Sequence, residues 1–303
     1  MSLKYWFLLS RIPFLSVVIL PYLLGGLLAW RLTGGFNLTV FIFGLLGCLL
    51  VQLATHYSGE VYDFKEDRLS AELGKNSFTG GSGVLVDKII PERKVKALIY
   101  IIVLFALFLG VLLQFYFKTG KWTLFLGITG LVCGIFYSKP PLRWVSRGLG
   151  EVFIAYAFGW LPVTIGFYIQ ASRFDWLATL ISLPLACVIV NVILINEFPD
   201  YSADKQAGKL NILVRIGKIK GSVLYTWLVI CAAFTFFLAL AKGLPILSIF
   251  FYFPVLIIAV SLVFQMLRGD YNDRKKLEKM CALTILVNLG TSLSCILGLL
   301  FGR

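Results

Sequence analysis

Apolar residues along this chain do not alternate with polar ones. They run nearly unbroken for the length of a helix, nine times over, near 12–30, 38–57, 96–117, 122–138, 149–170, 176–196, 221–241, 245–267 and 281–301. Each run is about long enough to cross a hydrocarbon core of roughly 30 Å as a helix. Lipid offers backbone groups no hydrogen-bond partner, so such runs must close their own hydrogen bonds as helices. The pattern predicts an all-α polytopic membrane protein of about nine transmembrane helices, forming a single domain over 1–303. The first run reads as a span and not as a cleaved signal, because it is too long and no small-residue cleavage site follows it.

Composition agrees. The chain has 303 residues, 59% of them hydrophobic, with a mean hydropathy of +0.89; soluble domains lie nearer ~45–50%. The formal net charge is +13, from 28 basic and 15 acidic residues. The basic residues follow the loops: with the N-terminus in the cytoplasm, 22 of the 28 fall on the cytoplasmic side, as the positive-inside rule requires. The excess is therefore topology and predicts no nucleic-acid partner. It would also draw in anionic headgroups or an anionic substrate. Cys48, Cys133, Cys187, Cys231, Cys281 and Cys295 all sit inside apolar runs without paired spacing. They read as small core residues, with no disulfide framework and no zinc site.

Two breaks in the apolar pattern are long, about 58–95 and 197–220, and both open on the same acidic text. The first is 59-GEVYDFKED-67 and the second 196-NEFPDYSAD-204. Glu60, Asp63 and Asp67 recur as Glu197, Asp200 and Asp204, 137 residues later. That offset covers four apolar runs. It predicts a duplicated four-helix unit, about 12–138 and about 149–267, with an extra helix at about 281–301. Duplicated membrane units place equivalent elements at a shared interface, where sites often lie.

On a helix, aspartates four apart share a face and repel each other. An oxygen-only set of this kind suits Mg²⁺, which takes one or two carboxylates together with substrate phosphates. Asp63, Asp67, Asp200 and Asp204 are thus the candidate metal ligands and catalytic residues. A solvated helix end would explain one such motif, but two at a fixed offset point to a site. Pro199 predicts a helix break just before Asp200. If the helix continues through the first motif, His56 lies on the face of Glu60, Asp63 and Asp67. Basic partners on the same side are Arg68, Lys139, Arg143, Arg147, Lys205, Lys209 and Arg215. Lys139 and Arg143 stand out because 137-YSKPPLR-143 is a rigid proline turn, and Lys209 because it follows Gly208. Tyr62, Phe136 and Tyr137 are candidates to line the reacting region. A charged mouth above aromatic-rich spans fits an amphiphile with a diphosphate head and a hydrocarbon tail.

These motifs resemble the UbiA superfamily of intramembrane prenyltransferases, whose pattern is N-[DE]-x-x-D-x-x-x-D followed by a second D-x-x-x-D. Further matches are 11-RIPFLSVVILP-21, 137-YSKPP-141, 148-GLGE-151 and 207-AGKLNILVRIG-217, so the likeness spans nearly the whole chain. It implies nine helices around a central cavity, Mg²⁺ as cofactor, and a prenyl diphosphate lipid and an aromatic acceptor as partners in the bilayer. Asn196, Lys139, Arg143, Lys209, Arg68, Tyr137, Glu60 and His56 are then the candidate substrate contacts. GLGE, the loop 78-FTGGSGVL-85 and the AGK stretch are most similar to the menaquinone-pathway branch, which prenylates 1,4-dihydroxy-2-naphthoate. Acceptors of the 4-hydroxybenzoate, homogentisate or glyceryl phosphate type are the alternatives. The chain departs from the family pattern twice, with Gly59 where the first motif has Asn and Asn211 where Thr is usual. A transporter would carry its polar groups near the midplane, and here the acids sit at the mouth. A non-catalytic prenyl-diphosphate binder would share the acidic site. The D-x-x-D-G run of CDP-alcohol phosphotransferases is absent.

Overall fold

The computed structural model describes residues 3–73 and 81–302. Phe78–Gly80 of the quoted 78–85 stretch and Arg303 therefore lie outside the described residues. Among the described residues every regular element is helical. The chain opens with α1 (Leu3–Ser10) and α2 (Ser16–Thr33), then α3 (Leu38–Tyr62), α4 (Phe64–Glu72), α5 (Glu92–Val111) and α6 (Thr123–Ser138). It continues through α7 (Gly150–Ile154), α8 (Leu161–Ala171), α9 (Trp176–Ala207), α10 (Ile212–Ile216), α11 (Lys218–Ala241), α12 (Ser248–Leu267) and α13 (Arg274–Phe301).

Among the described residues eight helical segments are long and apolar enough to cross a membrane. The run expected at 122–138 folds as α6, a helix of 16 residues. The first span starts earlier than expected, because α1 and α2 form one segment, Leu3–Thr33, jointed at Arg11. The two breaks read as long loops are largely helical, being occupied by α4, the end of α9 and α10.

α9 continues through Pro199 to Ala207, so the break predicted before Asp200 does not occur. A proline removes one backbone donor and so frees the carbonyl four residues back, here that of Ile195. The Cys281 thiol on α13 lies 3.9 Å from that carbonyl and serves as a weak replacement donor. Neighbouring helices commonly re-satisfy a proline-freed carbonyl in membranes. The first motif, with no proline, is where the helix bends. α3 ends at Tyr62, Asp63 sits at the joint with φ −97° and ψ 15°, and α4 begins at Phe64. The joint keeps its backbone bonds, Asp63 N–H to Gly59 O at 2.8 Å and Asp67 N–H to Asp63 O at 2.9 Å. α4 thereby swings across to pack on α9.

α2 and α8 cross closely at the middle of the molecule. A Cβ on Gly25 would lie 2.0 Å from the Val163 carbonyl oxygen, and one on Gly166 would lie 2.3 Å from that of Tyr22. Small residues at such crossings let membrane helices pack by backbone contact. α9 is the most enclosed span, with 72% of its most apolar window buried. It is flanked by α11, α13 and the π-helical turn Ala155–Trp160 that leads into α8. Pro162 lies in the first turn of α8 and cannot donate to Phe158, which locates that widened turn.

Candidate active site

The site is built at the end of the molecule where α3 meets α4 and α9 meets α10. Its first acid, Asp63, is only 13% exposed. Its Oδ2 accepts a hydrogen bond from the Ser138 hydroxyl at the end of α6, and its Oδ1 is buried without a hydrogen-bond partner. The Arg143 guanidinium lies 3.6 Å from Asp63 and bonds to the buried Glu66. On the other side of the joint Glu60 is fully engaged. It takes Arg11 Nη2 at 2.8 Å, the Ser82 amide at 2.6 Å and the Ser82 hydroxyl at 2.7 Å.

Those last bonds lay the segment after residue 80 over Asp67. Gly81 has φ +47°, and a Cβ there would lie 2.1 Å from Asp67 Oδ2, so no side chain fits. Half-buried Asp67 is held well above the usual carboxylate range, at about 8, by burial first and then by Glu60 and Asp63. Arg11 and Arg143 both adopt left-handed backbone, with φ 49° and 40°. Each such residue costs about 1–2 kcal/mol, and both arginines deliver their charge to the first acidic motif.

The second motif lies on the last turns of α9. Asp204 is buried; its Oδ2 accepts from Asn211 Nδ2 at 2.9 Å and its Oδ1 lies 3.5 Å from Lys209 Nζ. The turn that permits this is local. Gly208, at φ +80°, ends the helix, and the Lys209 amide returns to the Asp204 carbonyl at 2.9 Å. This is how a glycine in left-handed backbone closes a helix. Burial would lower the Lys209 pKa, but Asp204, Asp63, Tyr137 and Asp200 outweigh it and hold the ammonium well above its usual range. Lys209 therefore sits in the field of both motifs. Asn211 also caps α10 by accepting from the Val214 amide at 2.8 Å.

The two motifs are stitched together directly. Ser70 on α4 donates to Asp200 Oδ1 on α9 at 2.6 Å, across 130 residues of sequence. The bend at Asp63 is what brings Ser70 there. Of the sequence candidates, Asp63, Asp67, Asp200, Asp204, Lys209, Arg143 and Tyr137 meet at this mouth. Asn196 is placed beneath it with Oδ1 buried and unpartnered. Lys139 lies 5.9 Å from the Tyr62 ring centroid and 6.0 Å from that of Phe136, so both rings turn a face towards one cation.

Three candidates are occupied otherwise, the first being Glu60, taken by Arg11 and Ser82. His56 Nδ1 pairs with the Ser10 carbonyl at 2.9 Å, on the side of α3 that meets the α1–α2 joint. Arg68 is exposed and pairs with Glu72 one turn along, at 3.1 Å. Sequence reading missed the connecting residues Arg11, Glu66, Ser70, Ser82 and Ser138. It missed Glu151 as well, which is buried with Oε1 on the Ile212 amide at 2.9 Å and Oε2 unpartnered. Glu151 lies against buried Glu197, neither of whose oxygens has a partner. Most of these residues lie inside the quoted motifs, so the signal was present but carried no partner assignment.

Among the described residues no three carboxylate, histidine or cysteine side chains converge closely enough to hold a metal ion by themselves. The oxygen-only donor set, with an Asp63 Oδ1 that has no hydrogen bond and only Arg143 at 3.6 Å, instead fits Mg²⁺ bound together with phosphate oxygens, one or two carboxylates to an ion.

Residues 18–289 match the UbiA prenyltransferase family. The chain belongs to that family. A 1,4-dihydroxy-2-naphthoate octaprenyltransferase of Bacillus subtilis is 29% identical over 71% of this chain and 66% of its own length. A 2-carboxy-1,4-naphthoquinone phytyltransferase of Synechocystis is 26% identical over 94% of this chain and 89% of its own. Among solved structures, the apo UbiA homolog of Aeropyrum pernix superposes with a TM-score of 0.68 at 16% identity, covering 91% of this chain and 96% of that one. An Archaeoglobus fulgidus homolog solved with GPP and Mg²⁺ superposes at 0.63 and 17% identity, covering 97% and 99%. These UbiA neighbours share the all-helical membrane fold described above.

Proposed function

We propose that this prenyltransferase moves a polyprenyl group from its diphosphate to an aromatic acceptor of the 1,4-dihydroxy-2-naphthoate class, in menaquinone biosynthesis. The active-site mouth faces the cytoplasm, at the cell membrane. The observation that carries the reading is the Ser70–Asp200 bond, which brings the two acidic motifs face to face with Lys209 in the field of both. The names of the naphthoate relatives support the acceptor class.

Mg²⁺, when bound, supplies positive charge to the departing diphosphate. Asp63 and Asp67 on one side, and Asp200 and Asp204 on the other, are the residues that would hold it. Lys209 and Arg143 neutralise the remaining phosphate charge, an electrostatic stabilisation built before the bond breaks. Asn211 and Ser138 fix the orientation of Asp204 and Asp63. The carbon–oxygen bond to diphosphate breaks, its electron pair leaving with the diphosphate, and an allylic cation remains. The electron-rich acceptor ring then bonds to that carbon, and the attacked ring carbon gives up its carboxylate as carbon dioxide, which restores the aromatic ring. Gly81 and Ser82, laid over Asp67 and Glu60, shield that side of the mouth from water.

The test is an assay of the reconstituted protein with Mg²⁺, geranylgeranyl diphosphate and four acceptors: 1,4-dihydroxy-2-naphthoate, 4-hydroxybenzoate, homogentisate and glyceryl phosphate. Prenylated naphthol with matching free diphosphate, abolished in Asp63→Ala and Asp200→Ala, is the expected result. Mg²⁺-dependent lipid binding with no product from any acceptor would overturn it in favour of a binder.

A further inference from the structure

Between α6 and α7 the chain from Arg143 to Glu151 touches both acidic motifs, one with each end. At its start the Arg143 guanidinium lies 3.6 Å from Asp63 and bonds to Glu66. At its end the Glu151 carboxylate, 5% exposed, accepts the Ile212 amide at 2.9 Å. Ile212 follows Asn211, whose side-chain nitrogen holds Asp204 at 2.9 Å. A short chain of bonds therefore leads from Glu151 through the Lys209–Asn211 turn to the second motif. Another tie lies beside it. Arg215 Nε donates to the Leu210 carbonyl at 2.8 Å, and its Nη2 donates to the Ser146 carbonyl at 3.3 Å. Gly148, at φ +69°, makes room for this arginine, since a Cβ there would lie 2.8 Å from Arg215 Cδ.

The segment between the two ends is braced. Trp144 stacks on Phe153 with ring centroids 3.6 Å apart and planes at 13°. A Cβ on Gly150 would lie 3.0 Å from the Tyr137 ring and 3.0 Å from Val145 Cα, so α7 starts in close contact with α6. A braced segment anchored at both ends fixes a distance between its anchors. Capping alone does not account for Glu151. Burying a carboxylate is costly, Asn211 already caps α10 through the Val214 amide, and the second oxygen of Glu151 has no partner. The first half of the molecule offers a parallel, because Glu60 accepts the Ser82 amide and so lays that segment over Asp67. In each half a buried carboxylate captures a backbone amide from the segment that follows an acidic motif. Glu197, the sequence counterpart of Glu60, has no hydrogen-bond partner on either oxygen. In the second half Glu151 makes the capture instead.

We infer that Glu151 is a positioning residue: by holding the Ile212 amide it sets where Asp204 and Lys209 stand relative to Asp63. Its effect on binding rests on the diphosphate reading of the acidic site, whereas its hold on the turn does not. The requirement at position 151 is a hydrogen-bond acceptor at the right reach, and the negative charge is incidental. Glutamine keeps the acceptor at that reach and loses the charge, and its amide nitrogen also offers a donor to neighbouring Glu197. Aspartate keeps the charge and withdraws the acceptor by a methylene. The two conservative variants therefore separate reach from charge.

The experiment uses the full-length reconstituted protein and its Glu151→Gln, Glu151→Asp and Arg215→Ala variants. Hydrogen exchange of peptides covering 205–217 is followed by mass without ligand. The Mg²⁺ concentration that gives half of the thermal shift produced by geranylgeranyl diphosphate is measured beside it, together with KM for that diphosphate and for the acceptor. Glu151→Asp is expected to speed exchange over 205–217 and to raise the half-saturating Mg²⁺ about tenfold, the low end for losing a group that supports a metal ligand. KM should rise for the diphosphate and stay level for the acceptor. Glu151→Gln should recover most of each property. Arg215→Ala cuts the other tie, should move exchange and Mg²⁺ dependence the same way by less, and decides the matter if Glu151→Asp does not fold. Unchanged exchange and Mg²⁺ dependence in Glu151→Asp, or a loss in Glu151→Gln as large as in Glu151→Asp, overturns the proposal. A lower melting midpoint with unchanged Mg²⁺ dependence overturns it too, by leaving Glu151 a purely structural part. A wild type without Mg²⁺-dependent diphosphate binding rejects the diphosphate reading instead, and exchange over 205–217 then decides by itself whether Glu151 positions the turn.

Discussion

Asn211 illustrates how one residue serves two structures. Its amide nitrogen orients Asp204 and its oxygen caps α10, so a departure from the family's usual threonine is a working part of the site. Asn211→Ala should lower the melting midpoint by an amount equivalent to about 1 kcal/mol for the lost cap and should reduce diphosphate release. Asn211→Thr, which keeps a capping oxygen, should recover most of the midpoint. A melting curve beside the diphosphate assay separates the two effects. Asp67 gives a pH signature. Its carboxyl titrates at about 8 in the folded metal-free protein, against 3.8 for an ordinary aspartate. The folded state thus binds the extra proton between those values, so stability is expected to fall as pH rises from about 4 towards 8 and to level off above. Mg²⁺ favours the ionised form and should stabilise most at the high end. Melting midpoints from pH 5 to 9 with and without Mg²⁺ test this, and Asp67→Asn should flatten the metal-free slope.

At the scale of elements, the question is why a helix continues through a proline and a proline-free one is interrupted. α9 stays continuous because its neighbours enclose it and Cys281 offers a thiol to the freed Ile195 carbonyl. A double-mutant cycle reads that compensation. Cys281→Ala should destabilise the protein while Pro199 is present, and should cost less in a Pro199→Ala background, where the backbone amide returns. The expected coupling is about 0.5–1 kcal/mol, the net value of a weak hydrogen bond. Additive effects would show the thiol to be a bystander. α4 is turned at Asp63, with Ser138 and Arg143 holding that aspartate and Ser70 reaching Asp200. Ser70→Ala removes the link between the motifs and should raise KM for the prenyl diphosphate more than it lowers the melting midpoint. Steady-state kinetics against that substrate measure it.

For the whole molecule, charge sets a direction. The acidic mouth, the arginines and Lys209 lie at one end of the bundle. With the mouth in the cytoplasm, a cysteine placed at exposed Glu72 should be labelled by an impermeant maleimide only after the cytoplasmic face of sealed vesicles is opened to it. One placed at Trp176, 72% exposed at the opposite end of α9, should label from the outside. The reverse labelling pattern would invert the topology. Exposed native Cys231 is replaced first in both.

The sequence by itself determined the class of the molecule and singled out the acidic residues of its candidate site. Long apolar runs permit only helices in lipid, and the duplicated E-x-x-D-x-x-x-D text at a fixed offset named Asp63, Asp67, Asp200 and Asp204. Local turn chemistry was equally legible, as in the glycine that folds Lys209 back onto Asp204. What the tertiary structure decided was every relation between distant residues. The bend at Asp63, the continuity through Pro199, the ion pairs from Arg11 and Arg143, and the Ser70–Asp200 link all depend on partners 49 to 130 residues away. Periodicity and propensity describe only a residue's near neighbours along the chain, so they are silent about such partners.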